Sequence, residues 1–188
     1  MAFTILGIAG SLRKQSINRA LLRAAQGLVP DGVELRIFEL EGLPLFNQDE
    51  ESNPIKKVTE FKAAIRAADA ILLATPEYNY STSGVLKNAI DCASRPYGDS
   101  AWAGKPVAVM GASIGTLGTA RAQYHLRQSF VFLDMHPLNQ PEVMIPVAGE
   151  KFDAEGNLTH ERSRELVRKQ LDALVKWTKQ LRGEGASG

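Results

Sequence analysis

Phe3-Thr4-Ile5-Leu6-Gly7-Ile8-Ala9-Gly10-Ser11-Leu12-Arg13-Lys14-Gln15-Ser16-Ile17-Asn18 reads as an aliphatic, β-branched run, a polar loop and the first turn of a helix. From Ile17 onward apolar residues return at helical spacing, at Leu21, Ala24, Ala25 and Leu28. The pattern then recurs. Pro30-Asp31-Gly32 is a turn leading into Val33, Leu35 and Ile37, which alternate with polar neighbours as in a second strand. Asn53 and Pro54 are positioned to cap and start a helix with Ile55, Val58, Phe61 and Ile65 on one face. Ala70 to Ala74 is wholly apolar, as a strand covered on both faces must be. A helix near 84–93, a strand at 107–111 and a helix near 119–134 follow. Residues 135–146 are broken by proline and hold a fifth short strand, and the last helix runs near 159–181. Strands alternating with helices of about ten or more residues predict an α/β fold, a doubly wound five-stranded parallel sheet with helices on both faces. Ligands of such sheets bind at the carboxyl ends of the strands, which directs attention to the loops after strands one, three and four.

Composition removes several function classes. With 188 residues the chain suits one domain, read as residues 1–182 followed by a flexible tail at 183–188, and 44% hydrophobic content is enough for a sizeable core. Lys and Arg number 22 against 21 Asp and Glu, so there is no strong net field to favour nucleic acid or a membrane surface. Cys92 is the single cysteine, which excludes an internal disulfide, a CxxC redox pair, a thiolate zinc site and an iron–sulfur cluster. Electron transfer would therefore need a bound organic cofactor. No apolar run reaches the roughly 18 residues of a membrane span. The N-terminus has no signal-peptide pattern, so a cytoplasmic location is expected.

The loop Gly10 to Asn18 places two hydroxyls, an amide and a guanidinium at a helix N-terminus, where free N–H groups and the helix dipole favour an anion. It matches neither GxxxxGK[ST] nor GxGxxG, so a terminal monoester phosphate is the expected anion. Read by itself, the loop is equally explained by Ser16 capping the helix with Arg13 and Lys14 solvated. The second loop, Thr75-Pro76-Glu77-Tyr78-Asn79-Tyr80-Ser81-Thr82-Ser83, offers aromatic walls and backbone donors to a flat ring system. The third, Gly111-Ala112-Ser113-Ile114-Gly115, contains G-x-S-x-G, the pattern of a nucleophilic serine in α/β-hydrolases. Asp134, Asp153 or Glu155 followed by His136 or His160 would complete a triad in chain order, which makes a serine esterase the competing expectation. Such an enzyme would make no use of the first two loops. His125, His136 and His160 lack metal-ligand spacing, and Glu39 is read as structural.

Taken together, the three loops resemble the NADPH-dependent FMN reductase family of the flavodoxin-like fold, closest to its bacterial chromate and quinone reductases. The similarity rests on Gly10 to Asn18 and on Thr75 to Ser81 continuing into Gly84-Val85-Leu86-Lys87-Asn88-Ala89-Ile90-Asp91. It implies FMN as cofactor, NAD(P)H as co-substrate and quinones, chromate or related small molecules as acceptors. It implies that Ser11, Arg13, Ser16 and Asn18 hold the FMN phosphate, that Pro76, Glu77, Tyr78 and Asn79 line the isoalloxazine, and that Ser113 touches its rim. No side chain is required as an acid or base, because the flavin supplies the chemistry. The family is dimeric or tetrameric, and the resemblance implies that Arg121 and Tyr124 meet Glu142 of another subunit. This chain departs from the family at Cys92, where a Trp is common. A flavodoxin-like electron carrier without NAD(P)H activity is the remaining alternative, and the near-neutral charge argues against it.

Overall fold

A computed structural model describes residues 2–184. The strands are β1 (Phe3–Ala9), β2 (Val33–Phe38), β3 (Ala70–Ala74), β4 (Pro106–Ala112), β5 (His136–Pro137) and β6 (Val143–Ile145). Between and after them lie helices α1 (Ile17–Gln26), α2 (Lys56–Ala67), α3 (Gly84–Ser94), α4 (Ala120–Phe132) and α5 (Glu161–Leu181). The pairings among these strands are parallel, in the order β2-β1-β3-β4-β5, with β6 also on β4.

The fifth strand position is split. β5 pairs with Pro106 and Val107 at the start of β4, and β6 with Met110, Gly111 and Ala112 at its end. Pro137 and Pro141 have no N–H to donate, so an unbroken ladder cannot form across this segment.

Two apolar clusters sandwich the sheet. Leu21, Leu22 and Ala25 of α1 pack with Val167, Leu171 and Leu174 of α5 on one face. Phe61 and Ile65 of α2, Leu86 and Ile90 of α3 and Leu126 and Phe130 of α4 cover the other, around Trp102. β3 and β4 are buried throughout, which is why their sequences are uninterrupted apolar runs.

One expectation about an element end is corrected. Asn53 does not cap α2: its N–H is used in a turn onto Glu50, and the helix begins two residues after Pro54, at Lys56, with no side-chain cap. Ile55 is consequently 48% exposed rather than on the buried face. Gly183 at φ 71° donates to Gln180 and Glu184 donates to Lys179, the paired bonds of a glycine-terminated helix end. Residues 185–188 lie outside the described part. Among the described residues no helix is long and apolar enough to cross a membrane.

Candidate active site

The loops after β1, β3 and β4 leave the sheet at one level. Gly10 N–H donates to Ala74 at 2.9 Å, Thr75 N–H to Met110 at 2.9 Å and Ser113 N–H to Ile145 at 3.0 Å. The strand order reverses between β1 and β3, the position where sheets of this order bind ligands.

In the first loop Ser16 caps α1, its Oγ accepting from Arg19 N–H at 3.3 Å. Ser11 Oγ accepts from Arg13 N–H at 3.3 Å. Both bonds use hydroxyl lone pairs, so both O–H groups stay available to an anion. Arg13 and Lys14 are exposed, and among the described residues neither has a carboxylate partner. Asn18 is buried and points elsewhere: Nδ2 donates to the Ala112 carbonyl at 3.0 Å and Oδ1 accepts from Ala112 N–H at 2.9 Å. Its amide ties α1 to the end of β4, leaving one Nδ2 hydrogen for any ligand.

In the second loop Tyr78 and Ser81 exchange two backbone bonds, of 3.0 and 2.9 Å, around Asn79 (φ 51°) and Tyr80 (φ 64°). This is a two-residue turn with both central residues left-handed. Asn tolerates that conformation, whereas Tyr pays a strain on the order of 1–3 kcal/mol. Tyr78 is 48% exposed and Tyr80 67%, so neither ring is used in the core. Ser83 caps α3 by accepting from Leu86 N–H at 3.2 Å and donates to the Gly10 carbonyl at 2.7 Å, joining the first two loops. A Cβ on Gly10 would stand 2.9 Å from Ser83 Oγ and 3.0 Å from Leu86 Cβ, so that approach requires glycine.

Glu77 does not present its side chain to this edge. The carboxylate, 6% exposed, accepts from the N–H groups of Arg121 and Ala122 at 3.0 and 3.2 Å and from Arg121 Nε at 2.5 Å. A carboxylate there complements the positive end of α4, whose own Thr119 makes no side-chain cap. The Arg121 guanidinium lies 3.6 Å from the centroid of the Tyr80 ring. Nothing in the local sequence signals this arrangement, because its partners are 44 residues apart.

Ser113 Oγ accepts from Gly115 N–H at 3.1 Å. The loop is held from below by Ala148 N–H on the Ser113 carbonyl and Val147 N–H on the Gly115 carbonyl, with Val147 at φ 47°. Sequence reading missed this support. No triad forms: His136 pairs beside Pro106 at the opposite end of β4, about 20 Å away along a strand of this length. His160 bonds Ser163, Asp153 bonds Asn157 and His125 bonds Ser81. The esterase expectation is overturned by this geometry. Glu39 is paired with Arg19 at 2.9 Å.

The three loops also expose Leu12, Ile114 and Leu117 beside the two tyrosines. The edge thus combines hydroxyl and guanidinium donors at a helix N-terminus with an apolar, aromatic rim. This suits a planar ligand carrying a phosphate. A cavity of about 380 Å³ lies apart from these loops, between α2, α3 and residues 44–51, with Cys92 in its wall. The expected contact partners on α4 are engaged within the chain: Tyr124 donates to Glu142 at 2.9 Å, and Arg121 is held by Glu77.

The sheet order and loops define a flavodoxin-like α/β protein. Residues 3–150 match the family model of the NADPH-dependent FMN reductases, and the chain belongs to that family. It is 56% identical to the NAD(P)H-dependent FMN reductase of Pseudomonas aeruginosa over 95% of this chain and 97% of that one. Identity to the 2-hydroxy-1,4-benzoquinone reductase of a Burkholderia species is 42%, over 97% and 100% of the two chains. Among solved structures, FerB, a flavoenzyme NAD(P)H:(acceptor) oxidoreductase from Paracoccus denitrificans, superposes with a TM-score of 0.87 at 36% identity, covering 95% of this chain and 98% of its own.

Proposed function

We propose that this chain is an FMN-dependent NAD(P)H oxidoreductase that reduces quinones and related small acceptors, chromate among them. The observation that carries this reading is the donor set of the first loop. Among the described residues, Ser11 and Ser16 keep free O–H groups and Arg13 a guanidinium without a carboxylate partner, at the N-terminus of α1 beside an exposed apolar edge. In this reading those three hold the FMN phosphate, with the spare hydrogen of Asn18 as a further donor. Pro76, Tyr78 and Asn79 wall the ring and Ser113 meets its rim. Backbone donors of the second and third loops favour a negative charge developing there. Bound FMN would supply the redox chemistry between NAD(P)H and the acceptor. The protein's part is to hold and orient the reactants.

Residues 1–182 are taken as one flavin-binding unit, since both core clusters pack on the same sheet. A cytoplasmic location, where reduced nicotinamide cofactors are available, belongs to the same proposal. So does a homodimer or homotetramer. The exposed rim of the three loops, Tyr124 and Glu142, and the exposed Val131 and Phe132 of α4 are surfaces a second copy would cover. Sedimentation should give a dimer or tetramer, and Glu142→Ala should shift it to smaller species; a monomeric wild type ends that part of the proposal.

The central reading is tested on purified protein. A yellow protein, absorbing near roughly 450 nm as oxidised flavin cofactors do, should be bleached by NAD(P)H and recoloured by a quinone. A protein that will not take up FMN refutes the reading. One that binds FMN but is not reduced by NAD(P)H is an electron carrier.

A further inference from the structure

We propose that Glu77 is a positioning residue for the flavin site, acting through Arg121 and Tyr80 rather than by touching the ligand. The inference rests on the reading of these loops as the FMN site.

The second and third loops belong to different strands, and α4 continues from the third. Glu77 joins the two. Its carboxylate accepts from the Arg121 and Ala122 N–H groups in the first turn of α4 and from the Arg121 guanidinium, and that guanidinium covers the face of Tyr80. Removing Glu77 leaves donors of α4 without partners and frees Arg121 from its counterion. Tyr80 then loses the group stacked on it while still in a left-handed backbone conformation that few bulky residues adopt. Tyr78 and Asn79 lie between the two anchored residues, so their placement follows from the clamp. His125, one turn along α4 from Arg121, adds a 3.0 Å contact to Ser81 on the far side of the turn. Such a clamp sets ring placement without contributing a ligand atom.

The test compares wild type with Glu77→Gln, Glu77→Ala, Arg121→Ala and the Glu77→Ala/Arg121→Ala double variant. FMN affinity is read by quenching of free-flavin fluorescence, and ring environment by the visible spectrum of the bound flavin. Glu77→Ala and Arg121→Ala should each weaken FMN binding about tenfold and alter the visible bands. The double variant should be no worse than the weaker single one, because both act on one unit. Glu77→Gln, which keeps an acceptor for the α4 N–H groups but loses the charge pair, should fall between wild type and Glu77→Ala. If Glu77→Ala does not fold, Glu77→Gln alone decides. Wild-type affinity and spectrum in Glu77→Gln, or a lowered melting temperature with unchanged FMN binding, would overturn the proposal alone. A wild-type protein that binds no FMN would overturn the functional reading and this proposal together.

Discussion

Asn18 and Ala112, 94 residues apart in sequence, are bound face to face, the side-chain amide of one matching both backbone groups of the other at 3.0 and 2.9 Å. The pair fixes the start of α1 against the end of β4, and so fixes the spacing of the first and third loops. Asn18→Ala leaves a buried N–H and C=O unpaired, which should destabilise the protein by about 2–4 kcal/mol and lower Tm by roughly 5–15 °C. FMN affinity should fall with it. Thermal melts with and without FMN check both, and an unchanged melt would show that water replaces the amide.

Arg13 is exposed in the first loop and has no carboxylate partner among the described residues. If it pairs with a phosphate, Arg13→Ala should reduce FMN affinity by about 1.5–3 kcal/mol while leaving apo stability unchanged. The reduction should be larger for FMN than for riboflavin, which lacks the phosphate. Equal losses for the two ligands would remove Arg13 from the phosphate site.

Gly111 has no room for a side chain. A Cβ would stand 2.1 Å from Thr119 Oγ1 and 2.5 Å from the Thr75 carbonyl oxygen, and the second of these is backbone. Gly111→Ala must separate β3 from β4 where their loops begin, at a cost of about 1–3 kcal/mol or more. Denaturant titration should register it, together with weakened FMN retention.

Asp69 gives an acid-side dependence. Burial works against its charge, but the Thr4 N–H at 2.6 Å, Arg182 at 2.7 Å and Lys105 outweigh it, and the carboxyl ionises below the ordinary Asp range. A depressed folded-state pKa contributes stability that is present above the unfolded value, about 3.9, and is lost as pH falls through the folded value. Unfolding titrations should therefore show wild type losing stability over Asp69→Asn only below roughly pH 4 to 5. A parallel pair of curves would refute the assignment.

Cys92 should be a slow thiol. Burial first, and then the neighbouring Asp91 charge, push its pKa above the ordinary thiol value. Alkylation by iodoacetamide, followed by mass, should be slow at neutral pH and rise only beyond about pH 8.5. Rapid labelling at pH 7 would contradict this.

The strands were legible because β3 and β4, buried on both faces, could only be uninterrupted apolar runs. The Ser16 cap was legible too, since a cap acts over three residues. The split of the fifth strand was not, although Pro137 and Pro141 supply its reason once β4 is seen beside them. Ile55 was misplaced because a helical face was extended one residue beyond where the chain is helical. The resemblance implies that Glu77 lines the isoalloxazine, and the structure shows its carboxylate bonded to α4, an approach across 44 residues that no local spacing encodes.

The amino-acid sequence by itself determined the alternation of strand and helix, the three loops at one sheet edge and, with a single cysteine, the exclusion of an internal disulfide or thiolate cluster, because periodicity and composition act locally. Only the tertiary structure decided which polar groups of those loops remain free. Asn18 and Glu77 are used to join elements, while Ser11, Ser16 and Arg13 keep donors to offer. That division depends on buried polar groups finding partners across 44 and 94 residues, contacts that exist only once the sheet has brought the loops together.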